Sequence, residues 1–178
     1  MSTAMTFDSR HDRLWIPVLM LAAILGSFAF ACAAPFAALA AMLALTTQAR
    51  RGLPLIVAAW ALNQAIGYGA LDYPRTADSF IWGAGIGLAA LAATAAAYAV
   101  MPRLSARPLA ARAVLSFLAA FVVLELALLA VGIALGDTAA FAPAIVAEVG
   151  LVNVLWFAAL VAAHALLGAS VRRAAAHG

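Results

Sequence analysis

The chain has no lysine, a single cysteine and only 10% charged residues across 178 positions. Each shortage removes a class of chemistry. Without lysine there is no retinal Schiff base and no lysine-based covalent catalysis. One cysteine, Cys32, excludes an intrachain disulfide framework and a multi-cysteine metal site. Of the three histidines only His164 lies in apolar sequence, which excludes a bis-histidine haem within one chain and a histidine-cluster metal centre. Walker A, Gly-x-Ser-x-Gly and His-Glu-x-x-His motifs are absent from the sequence, and no nucleophile–base pair stands out. The expectation is a protein that is not an enzyme and has no cofactor, one that draws any ATP energy from another subunit. Soluble domains devote roughly a quarter of their residues to charge, so the scarcity of charge also excludes a soluble domain.

What is present is apolar sequence, 68% of the chain. A membrane helix needs roughly 20 apolar residues. Breaks carrying Arg, Pro, Asp or Gly divide the chain into six predicted spans near Leu14–Ala31, Ala34–Thr47, Leu53–Leu71, Phe80–Met101, Ala113–Leu135 and Ala142–Leu167. The fold expected is all-α and polytopic, with a segment 1–13, one six-helix transmembrane domain over 14–170 and a basic tail over 171–178. Ala29-Phe30-Ala31 has the small-x-small form of a signal cleavage site, but the apolar run continues past it, so the first span is read as retained.

Arginine sets the orientation. With both termini in the cytoplasm, nine of the ten arginines fall on the inner side, and Arg75 alone lies outside. This is the positive-inside bias. Fusing the first two spans would scramble it. The sequence pI of about 9.8 therefore reports topology and contact with anionic lipid and makes no case for nucleic acid.

Polar side chains inside the spans carry the functional reading, because ionisable groups at membrane depth are costly and face a bundle interior, a partner or a water-filled cavity. Asn63, Gln64, Glu125 and Glu148 are predicted to lie on the order of 10–15 Å below the outer surface by a rise of 1.5 Å per residue. Trp60, Gln64 and Tyr68 share a face of the third span, and Asn153 and Trp156 a face of the sixth. Apolar and aromatic surroundings with a few placed polar groups suit a small-molecule pocket. The candidate binding residues are therefore Trp60, Asn63, Gln64, Glu125, Glu148, Asn153 and Trp156, the amides and carboxyls for orientation and the indoles for stacking.

Plainer roles stand beside these. Asn63 and Gln64 are equally suited to hydrogen bonding between helices. Glu125 and Glu148 suit either protonated structural carboxyls or, if they face each other, a coupled pair for protons or a cationic ligand. Trp15, Trp82 and Tyr73 are read as interfacial anchors, Gly83 and Gly87 as helix-packing residues, and His164 as structural.

Six spans in a short chain, short loops, an outer polar layer and small-residue steps such as Ala22-x-x-x-Gly26 and Ala23-x-x-x-Ser27 resemble the substrate-capture (S) subunits of energy-coupling-factor vitamin and metal-ion transporters. The resemblance implies a bacterial inner-membrane protein that captures a vitamin-like small molecule from outside, in complex with a transmembrane coupling subunit and separate ATPases. Two other classes remain open: a stand-alone proton- or cation-coupled carrier using Glu125 and Glu148, and a structural or assembly subunit of a membrane complex.

Overall fold

The computed structural model describes residues 9–30 and 34–176, so Cys32 and Ala31 lie outside the described residues, as do most of segment 1–13 and the last two residues. Six α-helices follow one another, α1 (Ser9–Phe30), α2 (Phe36–Thr46), α3 (Ala49–Ala70), α4 (Ala77–Val100), α5 (Leu109–Leu135) and α6 (Pro143–Ala176). Short 3-10 turns at Met101–Leu104 and Ala139–Phe141 lead into α5 and α6. No strand occurs among the described residues. The protein is an all-α membrane protein, and α3 to α6 are each long and apolar enough to cross a bilayer.

The turns have local causes. Thr76 caps α4 by accepting from the Ser79 amide at 3.3 Å. Gly136 ends α5 at φ 71°, the left-handed conformation that glycine adopts without a Cβ penalty. Asp72 takes φ 52° just after α3, and a short polar side chain tolerates that region better than an apolar one.

The helices run past several predicted boundaries. α5 starts four residues before Ala113, and α6 continues nine residues beyond Leu167, carrying Arg172 and Arg173 on its helix rather than on a separate tail. Hydropathy marks where side chains suit lipid; alanine and arginine favour helix on either side of that limit.

The second predicted span is a helix of 11 residues. At 1.5 Å per residue it is about 16 Å long, half of the ~30 Å hydrocarbon core. Every residue from Phe36 to Ala44 is buried, on all sides of the helix. A helix that is apolar all round belongs inside a bundle, and α2 is the axis of this one. It packs on α5, α4, α6, α3 and α1, and these five form the surrounding wall. Five of its residues are alanine between positions 37 and 44, which lets the wall come close.

Candidate functional site

Both ends of α2 are held by side chains from the wall. At its C-terminal end Tyr98 of α4 donates to the Leu43 carbonyl at 3.0 Å and shares a 2.7 Å hydrogen bond with Thr47. Trp15 of α1 donates its indole N–H to Thr46 Oγ1 at 3.0 Å and meets His164 of α6 edge-on, with ring centroids 4.7 Å apart. Trp15 is 1% exposed. It is thus a buried clamp on α2 and not the interfacial anchor expected, because α2 ends beneath it and offers the indole a partner.

At the N-terminal end, Pro35 precedes α2 and has no side-chain group with which to cap it. Asn153 of α6 supplies the cap instead. Its Oδ1 accepts from the Ala38 amide at 3.3 Å, while its Nδ2 donates to Val149 O at 3.0 Å. Asn153 is wholly buried, and its carboxamide is committed at both ends. Trp156, one turn inward on α6, passes near Gly26 of α1, which is itself pressed against the Pro35 ring.

Asn63 is buried and donates to Ser27 Oγ at 3.0 Å; Ser27 in turn donates to Ala23 O at 2.8 Å. Gln64, the next residue, faces α4, and its Nε2 donates back to Asn63 Oδ1 at 2.9 Å. These two adjacent amides therefore tie α3 to α1 on one side and meet α4 on the other. Trp60 donates to the Gly83 carbonyl at 2.8 Å, Gln64 lies over Gly83, and Tyr68 shares a 3.1 Å hydrogen bond with Ser79. The predicted Trp60–Gln64–Tyr68 face is the α3–α4 interface. Gly83 and Gly87 pack there as expected, since a Cβ on Gly87 would come within 2.6 Å of the Trp60 indole.

The level shared by Trp15, Thr46 and His164 serves as an internal depth reference. Ser27 stands twelve residues from Trp15 and Asn153 eleven from His164, which places both about 17–18 Å along their helices from that level at 1.5 Å per residue. Asn63, eleven residues beyond the Gly52 that touches Tyr98, comes to about 17 Å by the same rise. Glu148 comes to about 24 Å. Phe117 stacks on Phe157 with centroids 5.0 Å apart, and counting outward from that pair puts Glu125 at about 22 Å. By this count the two carboxylates stand roughly one helical turn farther from the Trp15 level than the amides do.

The carboxylates do not face each other. Gly150 of α6 lies against Phe121 of α5. Two residues on a helix turn about 200°, so Glu148 points away from α5, and it is exposed. Glu125 is half-buried on α5, one turn outward from Phe121. Neither carboxylate has a hydrogen bond or ion pair among the described residues.

Trp60 and Gln64 thus meet α4, Asn63 beside them reaches Ser27 on α1, Asn153 caps α2 with Trp156 near Gly26, and Glu125 and Glu148 stand apart. Sequence reasoning missed Ser27 as a hydrogen-bonding residue. It counts only as a small residue in the sequence, although a serine hydroxyl bonded back to the carbonyl four residues earlier still accepts from an amide on a neighbouring helix.

Compared with known proteins, the chain matches no protein family, no curated protein and no solved structure.

Proposed function

We propose that this protein is the substrate-binding subunit of an uptake system in a bacterial cytoplasmic membrane, capturing a small, vitamin-like molecule from the outer side. One observation carries the reading. A half-length helix sits at the axis of the bundle with its N-terminal end capped by the buried Asn153, and in a six-span reading that end lies at membrane depth. Backbone that breaks from helix at that depth needs burial in protein or a cavity, and discontinuous helices near the midplane are where transporters place their substrate sites.

Two further facts support the direction of access. Outward of Asn153 no residue of α6 from 143 to 152 is buried, whereas the inner end of α2 is sealed by Trp15, Thr46, Thr47, Tyr98 and His164. The seven candidate residues then divide by role. In this reading Asn63 and Asn153 fix the helices beside the α2 end, Trp156 lies near it, Trp60 and Gln64 hold α3 to α4, and the carboxylates stand nearer the outer surface. Because the chain has no ATP-binding motif, a transmembrane coupling subunit and separate ATPases supply the energy in this reading.

Purified protein in lipid nanodiscs, screened for thermal stabilisation by vitamin-class compounds, tests it. At least one compound is expected to raise the unfolding temperature in a concentration-dependent way, and Trp156→Ala is expected to abolish that rise. Co-purification with membrane subunits and no stabilising compound would sink the capture reading.

A second reading, a structural or assembly subunit, is favoured by one specific fact: the Asn63, Gln64 and Asn153 amides are engaged within helix interfaces. Under that reading the protein is recovered from membranes only as part of a larger complex.

A further inference from the structure

We propose that the connection between α4 and α5 holds an anionic phospholipid, its phosphate among Arg103, Arg107 and Arg112 and its acyl chains along the exposed apolar ridge of α5. The inference is independent of the capture reading.

The three arginines fall within ten positions of a connection folded by tight turns, with Arg107 N donating to Leu104 O at 2.9 Å and Arg112 N to Pro108 O at 3.0 Å. No aspartate or glutamate occurs from Ser79 to Leu124. The helices packed on α5 bring none to this end: α2 has no ionisable residue, Asp78 is in the first turn of α4, and Glu148 is near the start of α6. Arg103 is fastened to the end of α4, its Nη1 donating to the Ala99 carbonyl at 2.8 Å, and keeps donors to spare. Arg107 is exposed. Arg112 is half-buried where the first turn of α5 closes, and its Nε is buried with no acceptor among the described residues.

The start of a helix is the unfavourable end for a cation, because the aligned amide dipoles leave it positive. No acid stands in the first turn of α5 to offset Arg112, and Pro108 before it has no side-chain acceptor. A phosphate, with several oxygens, compensates the three guanidinium groups together. The surface that continues from the arginines identifies its source. Leu109 beside them is 70% exposed, and Leu115, Leu118, Val122, Leu126 and Ile133 follow at helical spacing, all exposed. This ridge runs along a helix long and apolar enough to cross a bilayer, so the arginines stand at headgroup level at its start. A free phosphate or an acidic peptide uses the arginines alone, whereas a phospholipid uses both. Arg172 and Arg173 offer the contrast, since they lie near the C-terminal end of α6, where the dipole already favours a cation.

The test uses the full chain in nanodiscs of phosphatidylcholine with increasing phosphatidylglycerol, released into native mass spectrometry. The protein is expected to retain phosphatidylglycerol in preference to phosphatidylcholine. Arg107→Gln combined with Arg112→Gln is expected to weaken that retention by about twentyfold, the weight of two arginines at an anionic surface. Arg172→Gln combined with Arg173→Gln removes the same charge and is expected to change it by less than about threefold. Equal losses in the two double variants would reveal only the general attraction of a basic face and would overturn the proposal, as would equal retention of the two lipids. Glycerol 3-phosphate, the soluble headgroup, is expected to leave retention unchanged at millimolar concentration; displacement would assign the arginines to a free anion instead. Should the glutamine pair not fold, a photoreactive phosphatidylglycerol on the wild-type chain is expected to label residues 103–118 in preference to 168–176. Labelling centred on the end of α6 would overturn the assignment.

Discussion

The side-chain oxygen of Asn153 accepts the Ala38 backbone amide at 3.3 Å, so α6 caps α2 across the bundle. An N-terminal helix amide is left without an intrahelical partner, and removing a capping side chain costs about 1–2 kcal/mol. Asn153→Ala is expected to lower stability by about that amount, and Asn153→Leu by more, because the amide then has no water to reach. Thermal unfolding of the detergent-purified protein measures both. Unchanged stability in each would mean that α2 is held by packing alone.

The inner end of α2 offers an independent measurement. Tyr98→Phe removes the hydroxyl shared with Thr47 and Leu43 while keeping the ring. The expected loss is about 0.5–1.5 kcal/mol, with faster amide hydrogen exchange confined to the last turn of α2 and the start of α3. Faster exchange throughout the bundle would contradict a local clamp.

Gly87 and Trp60 should behave as a coupled pair. Gly87→Ala places a methyl within 2.6 Å of the indole, and overpacking of this kind costs about 1–3 kcal/mol. Trp60→Phe shortens the opposing side chain and is expected to recover part of that loss in the double variant. A double-mutant cycle reads the coupling directly, and strict additivity would show that the α3–α4 contact is looser than described.

Topology is open to a direct experiment. In a Cys32→Ser background, Asp137→Cys in the loop between α5 and α6 is expected to react with a membrane-impermeant maleimide added from outside to intact cells, while Asn63→Cys is buried and does not react. Labelling of position 137 only after the inner face is exposed would invert the orientation.

Much of the fold was legible in the sequence because lipid is an undemanding solvent: apolar runs and short polar breaks suffice to set helix number, and the arginines between them an expected orientation. The site was less legible. Hydropathy located Asn63, Gln64, Asn153 and the two glutamates, but not which of them are engaged with neighbouring helices. Nor does helical periodicity reveal partners. It grouped Trp60 with Gln64 and Tyr68, which the structure retains, yet it had no means to show that Asn63, one residue away, reaches Ser27 on α1.

The sequence by itself determined that this is an all-α membrane protein, through composition and the placement of its arginines, because transfer of side chains between water and lipid is a local property of each segment. Only tertiary structure decided that α2 is an enclosed half-helix, that Asn153 caps it, that Trp15 is a buried clamp, and that Glu125 and Glu148 face different ways. Those facts depend on which helices stand beside one another and at what rotation, and a linear order of apolar segments does not contain that information.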